Sequence, residues 1–281
     1  MHFLHMGIRA LILMSLAGVG QANQGKLLGT SGLFQVEGSG GGGIVPWATL
    51  SGYDTQDQLS VSGFVTQVDL DDYRLNSLGV SLGIKDRIEL SASQQIFDLK
   101  SLGGEIRQNI LGIKARLYGD VIYSTLPQMA VGMQYKHLED GDIAEALGAD
   151  DNQSDVDVYF AATKVHLGLI GGYNTVWNTT IRATRGNEMG LLGYGGIEDD
   201  DYELLFEGSV GLLLSRQVAI GFEYRQKPDK LGLKEDDWRD VFVAYMPSKA
   251  FHITAAYADL GSIAGSEDQS GLYISFSGNL W

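Results

Sequence analysis

The stretch ELLFEGSVGLLLSRQVAIGFEYR, from Glu203 to Arg225, decides the fold. After Ser215-Arg216, the residues Val218, Ile220, Phe222 and Tyr224 share one parity, with Ala219, Gly221, Glu223 and Arg225 between them. Before it, Leu204, Phe206, Val210, Leu212 and Leu214 oppose Glu203, Glu207 and Ser209. Side chains of a strand alternate between its two faces, so each arm reads as a strand with one apolar and one polar face. Ser215-Arg216 is then a tight hairpin turn. The pattern recurs at Lys85-Asp86, where Leu78, Val80 and Leu82 turn into Ile88, Leu90 and Ala92. It recurs at Pro247-Ser248-Lys249, where Val241, Val243 and Tyr245 turn into Phe251, Ile253, Ala255 and Tyr257.

Between the hairpins lie longer connections: 99–106, 139–154, 186–201, 227–237 and 261–270. Short turns on one side and long loops on the other are the plan of an outer-membrane barrel, whose alternate residues face lipid and lumen. A soluble sandwich can alternate too, but it needs neither so many consecutive hairpins nor this sorting of loops. Strand edges cannot face hydrocarbon unpaired, so first and last strands must meet. The expectation is an all-β protein, a closed antiparallel transmembrane β-barrel of about 14 strands. The alternative is 12 strands with an N-terminal plug. The choice turns on 23–47, where Ser39 to Gly43 is nearly all glycine and Pro46 cannot donate to a ladder. The barrel proper is expected over 48–281. Trp281 is out of phase with Leu272, Ile274, Phe276 and Leu280, which a bulge near Gly278 would repair.

Residues 1–22 read as a signal peptide, with Arg9 before the apolar run Ala10 to Val19 and Gly20-Gln21-Ala22 as a cleavage site. That run is far shorter than the ~20 residues of a spanning helix. Hydrophobic residues make up 44% with mean hydropathy −0.02, Gly numbers 38, Tyr 13 and Pro 4. There is no Cys, which excludes disulfides and thiolate metal sites. Losing Arg9 takes the net charge from −15 to −16, a poor match to nucleic acid, whose phosphates need basic patches.

The run GGGGIVPWATLSGY (Gly40 to Tyr53), preceded by GKLLGTSGLFQVEG, resembles an uncharacterised family of proteobacterial outer-membrane β-barrel proteins, a domain of unknown function with a Gly-rich Pro-Trp N-terminal motif. The resemblance covers most of the mature chain. It implies the barrel fold and an outer-membrane location after export through the periplasm, and no activity.

Three histidines follow the leader: His137, His166 and His252. His137 ends a strand on the outward parity of Met129, Val131, Met133 and Tyr135, where a lipid hydrolase of the outer wall would carry its base. Two residues later stands Glu139 rather than Ser, so no nucleophile is expected beside it. No catalytic residue, metal or cofactor is assigned, and the protein is read as not an enzyme. The glycine run is no phosphate cradle, because no Lys-Ser/Thr follows it. The acidic loops, Glu139 to Asp155, Glu198 to Asp201 and Glu235 to Asp237, fit no calcium-loop pattern and read as solvated surface.

The lumen carries the sharper expectation. Lys114, Arg116 and Lys136 fall on the inward parity of two neighbouring strands. Glu203, Glu207 and Glu223 do so on another pair, with Arg225 beside them. Opposed basic and acidic walls would form the constriction of a narrow channel for small hydrophilic solutes. The competing reading has these charges pair and seal the interior. The runner-up function is a non-conducting structural or surface-interaction barrel using its acidic loops; a lipid hydrolase is third. The expected surroundings are outer-membrane lipid and lipopolysaccharide, with the chain a monomer.

Overall fold

A computed structural model describes residues 25–100, 103–196 and 199–280, so the expected signal peptide and Trp281 lie outside the described residues. Twelve antiparallel strands close into one barrel. In chain order they are β3 (Leu59–Leu70), β4 (Arg74–Ile84), β5 (Ile88–Asp98), β6 (Glu105–Tyr118), β7 (Gln128–Leu138), β8 (Ser154–Ile170), β9 (Tyr173–Thr184), β10 (Glu203–Leu213), β11 (Val218–Arg225), β12 (Trp238–Ser248), β13 (Phe251–Asp259) and β14 (Ser270–Asn279). Each pairs with its chain neighbours. β14 closes on β3 from Gly271 opposite Leu70 to Asn279 opposite Ser62, with no bulge at Gly278. No free edge remains, as a strand wall in hydrocarbon requires.

The alternation puts apolar side chains outside. Val241 is 63% exposed while its neighbour Asp240 is 2% exposed. Val80, Leu111, Phe160, Val210, Phe222 and Leu272 are likewise exposed, and inward neighbours such as Ser81, Ser209, Glu223 and Tyr273 are buried. No helix among the described residues is long and apolar enough to cross a membrane.

The count of 14 is corrected to 12, because residues 25–58 do not join the wall. They enter the lumen and return. β1 (Leu33–Phe34) and β2 (Gly40–Gly41) pair only with each other inside it. This segment runs on past Trp47 to Gln58, so the barrel begins at Leu59 rather than at 48. Both ends of the hairpin sit at the mouth that carries the short turns, which is the periplasmic one in the outer-membrane plan: Lys26 pairs with Asp86 at 2.7 Å, and the Asp86 amide donates to Asp54 at 2.6 Å. Wall side chains satisfy its irregular backbone, as buried peptide groups demand. Thr180 donates to the Pro46 carbonyl at 2.7 Å, Gln128 to Ala48 O at 2.7 Å, Ser93 to Glu37 O at 2.8 Å, and the Ala48 amide donates to Thr163 at 2.8 Å. Pro46 thus needs no ladder donor. Glycine permits the close approach: a Cβ on Gly41 would stand 2.4 Å from the Val45 carbonyl, and one on Gly42 1.8 Å from Glu223.

Loop lengths sort by side with two departures. The periplasmic β6–β7 connection, 119–127, is long, and the extracellular β3–β4 turn, 71–73, is short. The Lys85-Asp86 hairpin places both residues at positive φ, 56° and 54°, as a type I′ turn requires. The 139–153 loop carries a short helix, α1 (Asp142–Ala146).

Candidate functional site in the lumen

Five of the expected charged residues, Lys114, Lys136, Glu207, Glu223 and Arg225, are buried in the lumen, and three of them, Lys136, Glu207 and Arg225, meet in one network through Glu37 of the hairpin and Arg182. Glu37 is fully buried and pairs with Lys136, with Arg225 at 3.0 Å and with Arg182 at 3.3 Å. Lys136 also meets Asp157 at 2.7 Å. Arg182 reaches Asp157 at 3.1 Å and Glu207 at 2.5 Å, and Arg225 lies 3.4 Å from Glu207. Arg182 also stacks over Tyr159, 5.3 Å from the ring centre. Lys136, Arg182 and Arg225 therefore balance Glu37, Asp157 and Glu207, three charges against three. Buried charges survive only when paired in this way.

Lys114 forms a second anchor. It lies 3.4 Å from Glu89 and donates to the carbonyls of Gly40 at 2.6 Å and Thr49 at 2.9 Å. Glu89 in turn accepts from the amides of Gly40 at 3.0 Å and Ser51 at 2.5 Å. Glu223 makes the third, accepting from the amides of Gly43 at 2.5 Å and Ile44 at 2.9 Å and from Ser209 at 2.6 Å. Two expected residues lie apart. Arg116 sits at the periplasmic mouth with Asp86 and Asp120. Glu203 lies at the extracellular rim, half exposed and 3.9 Å from Lys230. Their strand positions carry them beyond the filled zone, although their parity is inward.

Opposed walls facing across open water are thus replaced by direct pairing through the hairpin. Asp157 and Arg182 were legible by parity, since Ile181 beside Arg182 faces outward and is 44% exposed. Glu37 carried no such signal, because its segment has no period.

A lid closes the extracellular side. A 3-10 turn, Asn187–Gly190, folds inward so that the Met189 carbonyl accepts from Lys136 at 2.9 Å and from Gln108 at 3.2 Å. Lys136 therefore touches hairpin and lid together. Leu191, Leu192 and Tyr194 are buried behind it. In the same loops Lys227 bridges Glu188 at 3.0 Å and Glu235 at 2.9 Å. Burial pushes the Glu188 carboxyl up to about 7, with Glu235 adding repulsion against the pull of Lys227. Two cavities, one beside Arg225 and Trp238 and one beside Phe34 and His252, hold about 10 Å³ each, room for about one water.

Outside, His137 gains a neighbour that spacing along one strand does not reveal. Ser154 on β8 stands directly opposite it, with Oγ 2.8 Å from Nδ1; the expectation of no serine beside it is corrected. The adjacent Asn109 gives its amide to Glu139 at 2.8 Å. His252 is buried beside the Tyr53 hydroxyl at 3.3 Å, and His166 accepts from the Trp177 indole at 3.1 Å. Arg185 gathers Asp155 at 2.8 Å and Asp200 at 3.0 Å, knitting two acidic loops.

Residues 30–277 match the family described as Protein of unknown function (DUF3034). The chain belongs to that family. No curated protein matches it. Among solved structures it is similar to the KdgM porin, with 8% identity, 77% of this chain and 98% of that one covered and a TM-score of 0.48. It is similar to the outer membrane protein Omp33 of Acinetobacter baumannii, with 11% identity, 80% and 99% covered and a TM-score of 0.46. The NanC porin gives 11%, 78% and 98%, and 0.46. An edgeless antiparallel barrel with an apolar exterior is the form in which strands cross the bacterial outer membrane. The chain is an outer-membrane barrel by that criterion.

Proposed function

We propose that this barrel is a channel held shut: a narrow conduit for small hydrophilic solutes that opens when the hairpin of residues 25–58 withdraws toward the periplasm. One observation carries the reading. The hairpin enters and leaves by the same mouth and is bound by wall side chains, while β1 and β2 share no ladder with any of the twelve strands. It can leave without breaking the wall. The surface it would uncover is polar, lined by side chains such as Gln95, Gln134, Thr163 and Thr180. The protein works as a monomer, in contact with membrane lipid and, around the loops, lipopolysaccharide, and it carries no catalytic residues.

The continuous packing of the lumen favours a second reading, a non-conducting barrel whose acidic loops engage a surface partner. Planar-bilayer recording separates them. The mature protein should be largely silent, and a variant lacking 29–54 should conduct in discrete steps. Far-UV circular dichroism and heat-modifiable gel mobility verify that the shortened barrel is folded. A folded shortened barrel that stays silent would overturn the conduit and leave the second reading.

A further inference from the structure

Beside the Gly42-Gly43 bend of the hairpin, two carboxylates stand together with no cationic side chain paired to either among the described residues. Glu223 and Asp240 are directly opposed on β11 and β12, and both are buried. Glu223 is well supplied with donors, from Gly43, Ile44 and Ser209. Among the described residues Asp240 has no hydrogen-bond partner at either oxygen. Arg225, on the same face of β11 as Glu223, is committed to Glu37 and Glu207. Glu37, Glu89, Asp157 and Glu207 all have cationic partners; this pair has none among the described residues.

Gly43 lies close against both carboxylates. A Cβ on Gly43 would stand 3.3 Å from Glu223 Oε2, 3.4 Å from Asp240 Oδ2 and 3.3 Å from Cζ of Tyr273. Two adjacent carboxylates out of water do not both remain charged unless something positive joins them. A proton would serve one oxygen; a metal ion lying between the groups serves both residues at once. Oxygen-only ligands, both carboxylates, select a hard cation, and the irregular arrangement suits calcium, which tolerates mixed mono- and bidentate ligation.

We infer that Glu223 and Asp240 bind one divalent cation of the calcium type, with water completing its shell, at the point where the hairpin bend meets the wall. Because Glu223 also holds the Gly43 and Ile44 amides, the ion clamps the bend. The site stands whether or not the lumen conducts.

The test refolds the mature protein in detergent with EDTA or with calcium chloride, and reads thermal unfolding and terbium luminescence sensitised by Tyr273 and Trp47. Calcium should raise the melting temperature, and terbium should give a signal that calcium displaces. Asp240→Asn should lower that signal at least tenfold and abolish the calcium-dependent rise. It breaks no hydrogen bond to the hairpin, so it should melt in EDTA no lower than the parent. Glu223→Gln should lose the signal too. Equal melting of the parent in calcium and EDTA would overturn the inference. So would a calcium response that survives Asp240→Asn, which would place the ion on the acidic loops. Stabilisation by acid alone, without calcium, would assign the pair a shared proton instead.

Discussion

Glu37→Gln tests what holds the lumen shut. Glutamine keeps the size of the side chain and removes its charge, leaving Lys136, Arg182 and Arg225 to share Asp157 and Glu207. One cation is then uncompensated where the network side chains are at most 8% exposed. Breaking a buried pair from one side costs roughly 3–5 kcal/mol. Glu37 belongs to no barrel ladder, so the cost falls on seating the hairpin and not on the strands. At about 1.4 kcal/mol per tenfold, the ratio of seated to withdrawn hairpin should fall by between about 10² and 10⁴. The chain has no cysteine, so Ser39→Cys, at a buried position of the hairpin, makes a clean reporter. Its maleimide labelling rate should rise by that ratio in the Glu37→Gln background. Conductance should rise with it. Glu37→Gln combined with Lys136→Met restores two charges against two and should recover most of the protection. Unchanged labelling and conductance in the single variant would refute the claim that this network holds the hairpin.

Three further outcomes are expected. Glu188 has a folded pKa near 7, above its ordinary 4.5, because it is buried. The folded lid therefore binds the proton more tightly than the opened one, and its stability declines as pH rises from about 4.5 through 7. Hydrogen-exchange protection of 186–196, corrected for intrinsic rates, should decline over that range in the parent and much less in Glu188→Gln; equal slopes would contradict the assignment. Gly42→Ala places a Cβ 1.8 Å from Glu223 Oε1. The overpacking costs roughly 1–3 kcal/mol and should speed Ser39→Cys labelling at least fivefold; no change would show that the bend tolerates a side chain. The His137–Ser154 contact should support no lipid hydrolysis, because Asn109 is turned to Glu139 instead of orienting the imidazole. Phospholipid turnover by the purified protein that vanished in both His137→Ala and Ser154→Ala would make the pair catalytic.

Much of the fold was legible because a strand's facing is a local property. Val241 and Asp240 declare their sides within two residues, and the same period repeated at Glu203 to Arg225 and Leu78 to Ala92 yields an edgeless wall with lipid outside. The lumenal charges Lys114, Lys136, Glu207, Glu223 and Arg225 were visible for the same reason. The hairpin was not. Gly40 to Ala48 has no period, since its hydrogen-bond partners include side chains such as Thr180, Thr163 and Gln128, far away in sequence. Pro46 and the glycines signalled only that the segment did not behave as a strand.

Composition and alternation by themselves determined a closed barrel, its lipid-facing residues and most of its turns, because these follow from interactions within a strand and its hairpin neighbour. Only the tertiary structure decided that twelve strands close the wall, that Glu37 neutralises charges on three strands, and that Ser154 meets His137. Each depends on which distant groups come together when the ring shuts, and a buried charge takes whichever partner that closure brings within reach.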